Sequence, residues 1–207
     1  MGYDAFMRSI LPWVVLLVAH LLPTALASGG EVESGAELYR DCAACHGKDG
    51  GGVTDGSVPA IGGQPTEVVR RQLQRFRSGT RTDLRMQHFS NDDHLAGAKA
   101  VDAVSRYIAG LRRVTPPAKG SGRELAAGAA EFARSCASCH GPQGRAVESS
   151  GIPALAAQHA PYLERKLRDA AAGQNSLGQS HRPIVSRLPP ERIAAIADWL
   201  SRVTPLD

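Results

Sequence analysis

Apolar and polar positions along the chain outline a series of short helices. A leading apolar stretch runs from Ile10 through Leu22, interrupted by Pro12 and His20. Ser34 and Glu37 then stand at capping-box spacing, which predicts a helix opening there and continuing to His46. Thr66 is placed to cap a second helix, with Val69, Leu73 and Phe76 on one face and a stop near Gly79. Val101, Val104, Ile108 and Leu111 recur at helical spacing and predict a third. The same set then returns: a helix ending at His140, another over Pro161–Ala172 closed by Gly173, and a last one from Pro189-Pro190 carrying Ile193, Ile196, Ala197 and Leu200. Proline in the first turn suits that final start. No convincing strand alternation is present, so the expected fold class is all-α.

The return is an internal duplication. At an offset of 94 positions, Cys42, Cys45 and His46 fall on Cys136, Cys139 and His140. Pro59 falls on Pro153, Gln64 on Gln158, Leu73 on Leu167 and Gly79 on Gly173. After a small length change, Tyr107-Ile108 matches Trp199-Leu200. A repeat of this size is a whole small domain copied, not a solenoid unit. Pro116-Pro117 and Lys119-Gly120-Ser121-Gly122 mark the linker between the copies. The expected organisation is a signal peptide over 1–27, a first domain over 28–113, a linker over 114–123 and a second domain over 124–207.

Chemistry enters with two Cys-x-x-Cys-His runs, Cys42 to His46 and Cys136 to His140, which use every cysteine in the chain. This is the attachment pattern of a c-type haem. Residues three apart share one helix face, so both thiols of a run reach the two vinyl groups of one porphyrin, and the following imidazole is offered to the iron. A Cys-x-x-Cys pair is also half of a tetrahedral zinc site, but the 94-residue separation is far beyond zinc-knuckle spacing, and zinc gives no reason for a histidine after both pairs. A thioredoxin-like dithiol calls for a βαβ context that is not visible. Two covalently attached haem c groups are expected, with Cys42, Cys45, Cys136 and Cys139 as attachment residues and His46 and His140 as iron ligands.

The chain ends and the charge refine this picture. Arg8, the apolar run and Ala25-Leu26-Ala27 together form a secretion signal with a small-x-small cleavage pattern before Ser28. The competing reading, an uncleaved membrane anchor, is weakened by Pro12, His20 and Pro23, because a span needs about 20 apolar residues. The expected location is periplasmic. Aromatic residues make up only 5%, thin for a self-sufficient core, and two buried porphyrins would supply the missing apolar mass. The formal charge of +4 would be brought near zero by four ionised propionates, so the basic balance is poor evidence for a nucleic-acid partner, and none is expected. Arg70, Arg71, Arg75, Arg77 and Arg81 cluster on one segment, either as a docking face for an acidic partner or as a solvated helix face with some propionate pairing.

Nearly the whole of residues 28–207 resembles the dihaem cytochrome c4 family. The residues that carry the resemblance are the haem motif followed by Pro59-x-Ile61-x-Gly63-Gln64, then Gln72-Leu73-x-x-Phe76-x-x-Gly79-x-Arg81. In the second half they are Pro153-Ala154-Leu155-x-x-Gln158-His159-Ala160-Pro161-Tyr162-Leu163. The resemblance implies two tandem class I cytochrome c domains about a pseudo-twofold axis, passing electrons in the periplasm. It also implies a methionine late in each middle loop as sixth iron ligand. Met86, seven residues after Gly79, stands at that position in the first half; His88 is its rival and His94 a weaker one. The second half has no methionine. Aligning Phe89 with Ile184 places His181 at the Met86 position, so the second haem is expected to be bis-histidine through His140 and His181. The alternatives are a solvent-facing His181 with an open or water-bound iron, or ligation by His159, whose place in the family pattern is structural.

Thioether favours ferrous iron and a second imidazole favours ferric, so the first haem is expected at the higher potential and the second as the entry point. The expected function is electron transfer between a dehydrogenase or quinol-oxidising complex and a terminal oxidase or reductase. Partners would be redox proteins of the periplasmic respiratory chain, with peripheral docking on a membrane complex, and the chain is not expected to be an enzyme. A dihaem enzyme, peroxidase-like or thiosulfate-oxidising, and a haem sensor are the alternatives; both need an open iron in the second half.

Overall fold

The computed structural model describes residues 34–146, 151–174 and 178–204. The expected leader over 1–27 and its cleavage after Ala27 lie outside the described residues. Nine helices span the described residues: α1 (Gly35–His46), α2 (Thr66–Arg77), α3 (Leu84–Phe89), α4 (Gly97–Gly110), α5 (Leu125–Ser135), α6 (Ala137–His140), α7 (Ala160–Ala171), α8 (Gly178–Val185) and α9 (Pro190–Arg202). No strand occurs among them.

Helix α1 begins where its capping box stands: the Ser34 hydroxyl accepts the Glu37 N–H, and the Glu37 carboxylate accepts the Ser34 N–H. Helix α2 starts one residue earlier than a Thr66 cap would place it. Pro65 holds the N-cap position without a side-chain bond, and Thr66 is the first helical residue. Helix α4 stops at Gly110, leaving Leu111 extended as the C-cap. In the second half the single entry helix of the first is broken into α5 and α6 by a non-helical Cys136. Helices α3 and α8 occupy the middle loops, where apolar periodicity is too short to predict an element; α8 even contains Pro183.

Each half closes by crossing its first helix over its last. In the first, Leu38 and Tyr39 of α1 meet Val101, Val104 and Ile108 of α4, with Val69 and Leu73 of α2 and Leu95 completing the core. In the second, Phe132 of α5 meets Ile196, Ala197 and Leu200 of α9, with Ala160 and Leu163 of α7. An aromatic pair sits at each crossing, Tyr39–Tyr107 at 5.3 Å and Phe132–Trp199 at 5.0 Å between ring centres. The helices touch at glycine. A Cβ added to Gly35 would lie 2.3 Å from the Ala103 carbonyl oxygen, and one on Gly128 would lie 2.2 Å from that of Ala195.

The duplication extends to loop hydrogen bonds. Ile61 and Gly62 N–H donate to Gly50 O at 2.7 and 3.0 Å; Leu155 and Ala156 donate to Gly144 O at 2.6 and 2.9 Å. Gly63 N–H donates to Ile108 O and Ala157 N–H to Leu200 O, both at 3.0 Å. Gly63 takes a left-handed φ of 72°, and its counterpart Ala157 accepts the same region at 53° despite its Cβ.

Candidate haem sites

The two Cys-x-x-Cys-His runs lie on equivalent helical turns. Cys42 and Cys136 are half-buried, Cys45 and Cys139 exposed, and His46 and His140 buried. Burial, with Asp41 nearby, pushes the Cys42 thiol up to about 11, and burial with Glu131 does the same for Cys136. Each histidine is followed by a glycine, Gly47 or Gly141, at φ 77° or 78°. That left-handed residue turns the chain off the helix, which carries it toward the loop that meets the ring.

The rings are fixed in one orientation. His46 Nδ1 donates to Pro59 O at 3.0 Å, and His140 Nδ1 to Pro153 O at 3.2 Å. Burial lowers both imidazole pKa values, partly offset by those carbonyl bonds, so the rings are neutral and Nε2 carries the free lone pair. A carbonyl on the far nitrogen is the usual orienting partner of a metal-bound histidine. The donor set therefore fits a haem iron in each half.

The sixth-ligand candidates come from the two helices that sequence periodicity does not show. Met86 lies in α3 and, like Cys42 and Ala43, packs against the first core. Arg85, next to Met86, and Asp83, the N-cap of α3, are close enough to act electrostatically on His46. His181 lies half-buried in α8, its ring centre 6.0 Å from that of His140. Two imidazoles on opposite sides of one metal, with bonds of about 2 Å, have ring centres about 6.3 Å apart. The rival His88 is exposed, with its ring against Phe89 and His94. His159 has both ring nitrogens committed to backbone partners: it is 1% exposed, its Nε2 donates to Gly51 O at 2.7 Å, and its Nδ1 accepts the Ala118 N–H at 3.0 Å. Among the described residues no three His, Cys or carboxylate groups gather as a metal cluster, so the two cysteine pairs do not combine into a four-cysteine zinc site.

The halves are joined by a reciprocal clamp. The Gln64 side chain donates to Ala154 O at 2.8 Å and accepts from Ala154 N–H at 3.1 Å. Gln158 does the same to Ala60, at 2.8 and 2.9 Å. Ala60 follows Pro59 and Ala154 follows Pro153, so each glutamine holds the residue next to the carbonyl that orients the other half's histidine. The matching Gln64 and Gln158 are visible in the repeat, but their partners are backbone atoms, which carry no sequence signal. The linker between the copies is pinned as well. Asp49 accepts the Val114 and Thr115 N–H groups, and Asp198 accepts those of Gly120 and Gly122.

The arginine cluster is largely spent inside the molecule. Arg70 pairs with Glu67 and Asp102, and Arg77 donates to Ser90 O and Leu95 O. Arg81 bonds Gln72 and Tyr162 Oη. Arg71 crosses to Gly151 O, while its Nε is buried with no protein partner. A half-buried guanidinium with an unfilled, buried Nε donor suits a haem propionate carboxylate.

Comparison with known proteins agrees with this geometry. A model of the cytochrome c family matches twice, over residues 32–111 and 125–204. A thiosulfate dehydrogenase electron acceptor of Stutzerimonas stutzeri is 30% identical over 215 residues, covering 95% of this chain and 97% of the relative. Cytochrome c4 of Pseudomonas aeruginosa is 35% identical over 88 residues, 42% of each chain. The crystal structure of reduced cytochrome c4 from Pseudomonas stutzeri superposes with a TM-score of 0.71 at 22% identity, covering 84% of this chain and all of that one. A thiosulfate dehydrogenase (TsdBA) from Marichromatium purpuratum superposes at 0.66 with 26% identity, covering 79% of this chain and 36% of that one.

Proposed function

Because the chain belongs to the cytochrome c family, as a cytochrome c4-like dihaem electron carrier, we propose that it is exported and takes electrons from a thiosulfate dehydrogenase or related dehydrogenase for a terminal oxidase or reductase. Cys42 and Cys45 hold the first haem, with His46 and Met86 on its iron. Cys136 and Cys139 hold the second, with His140 and His181. Each haem, when bound, supplies a one-electron ferric/ferrous couple.

The protein's own groups do the rest. Pro59 and Pro153 carbonyls fix the tautomer of His46 and His140 and make their Nε2 atoms stronger donors. The Met86 thioether is soft and favours ferrous iron, whereas the His181 imidazole donates more strongly and favours ferric. The His140/His181 couple therefore lies at the lower potential. One observation supports the carrier reading over the enzyme reading: the His140 and His181 rings lie 6.0 Å apart, close to the spacing of two imidazoles sharing one iron, which would leave no open position for a substrate.

The donor class is supported by the relative named as a thiosulfate dehydrogenase electron acceptor, which matches over nearly its whole length. Export is supported by the apolar stretch before Ala27. Among the described residues, no helix is long and apolar enough to cross a membrane.

The test mixes oxidised holo-protein with a thiosulfate dehydrogenase and thiosulfate, following the ferrous α-band by stopped flow. Reduction much faster than with thiosulfate alone is expected. Enzyme-independent reduction would overturn the donor assignment, and carbon monoxide binding to the reduced second haem would overturn the closed-site reading.

A further inference from the structure

A histidine pair outside the haem positions is arranged as a metal chelate. His88 ends the exposed side of α3, and His94 lies in the turn before α4. Their Nε2 atoms stand 3.2 Å apart, and His94 Nδ1 faces Asp41 Oδ2 at 3.3 Å. Neither histidine is needed for the haem ligand sets proposed above.

Two nitrogens 3.2 Å apart, each about 2.05 Å from a common metal, subtend about 100° at it, close to the tetrahedral value. The ring centres favour the same arrangement. They are 4.6 Å apart with planes at 71°. An in-line imidazole–imidazole hydrogen bond of this length would separate the centres by about 5.5 Å. Two rings bound to one cation at that angle would separate them by about 5 Å. The observed separation is nearer the shared-cation value than the in-line one. Asp41 supplies the remaining feature of a built site, a carboxylate on the far nitrogen of one ligand, which orients the ring and strengthens its donation. Phe89 packs against both rings, 5.0 Å from His88 and 5.1 Å from His94, and limits their rotation.

We propose that His88 and His94 form a surface site for one borderline divalent transition-metal cation, zinc(II) or copper(II), with Asp41 as the orienting carboxylate and water completing the coordination. Imidazole pairs select such ions over magnesium and calcium, which prefer oxygen donors. The cation would sit between α3 and the turn before α4, with the His94 ring between it and Asp41, the residue before Cys42.

The experiment is isothermal titration of tag-free oxidised holo-protein with zinc(II), alongside His88→Ala, His94→Ala and Asp41→Asn, each checked for an unchanged haem spectrum. One zinc per chain is expected. Loss of either histidine should weaken it more than about a hundredfold, and Asp41→Asn about tenfold to a hundredfold, the usual effect of removing an orienting partner. Absence of saturable binding, or binding equal to the parent in either histidine variant, overturns the site. So does a changed first-haem spectrum in His88→Ala, which would put His88 on the iron.

Discussion

Truncating Gln158 to alanine should loosen the seam between the halves. Gln158 is 5% exposed and Ala60 3%, so their bonds are shielded from water. The side chain satisfies Ala60 N–H at 2.9 Å, Ala60 O at 2.8 Å and, through the same Oε1, the His159 N–H at 3.0 Å. Each buried polar group left without a partner costs about 1–3 kcal/mol. Water entering the vacated space recovers part of this, so a net loss of about 3 kcal/mol is expected. For a chain of this size that corresponds to a fall in Tm of about 6–12 °C. Calorimetry of the holo-protein is the assay, with Gln64→Ala as the symmetric variant. If one clamp's loss already opens the seam, the double variant will be destabilised by less than the two single losses together. A fall below about 2 °C for Gln158→Ala would refute the reasoning, since it would mean the clamp is no more than a surface contact.

Other consequences follow from single residues. Burial works to raise the Asp49 carboxyl, but the Thr115, Val114 and Gly51 N–H donors outweigh it and hold it at about 2. Its lowered pKa means its contribution is complete above about pH 4 and lost as pH falls toward 2; Asp49→Asn should cost about 1–2 kcal/mol at neutral pH, after discount for solvent screening, and flatten acid unfolding across that window. Gly128→Ala places a Cβ against the Ala195 carbonyl, so α5 and α9 must separate, with a loss of about 2–3 kcal/mol read in denaturant melts. His181→Met should raise the second haem's potential by on the order of 100 mV, a fraction of the range axial ligands control. An unchanged potentiometric curve would remove His181 from the iron.

Much of this was legible from residue order because the relevant signals are local. The Ser34–Glu37 box opens α1 where the spacing says it should, and the 94-residue offset announces the second domain before any fold is known. What stayed hidden depends on partners distant in sequence or on backbone atoms. Thr66 has a capping side chain, yet Pro65 takes the N-cap. Helices α3 and α8 are too short for apolar periodicity, and Pro183 argues against α8 outright, yet they carry Met86 and His181. The arginine cluster reads as a docking face or as a solvated helix face with some propionate pairing, but Arg70, Arg77 and Arg81 are committed to carboxylates, carbonyls and a phenol that only tertiary packing brings near. The linker's glycines and prolines suggest slack; Asp49 and Asp198, remote in sequence, take it up.

Low-temperature EPR of the fully oxidised holo-protein distinguishes two closed irons with unlike ligands from one open iron. Two low-spin ferric signals are predicted, one of the His/Met type from the His46/Met86 site and one of the bis-imidazole type from His140/His181. A high-spin signal from the second haem would contradict this and make the second half a place where a substrate or gas binds.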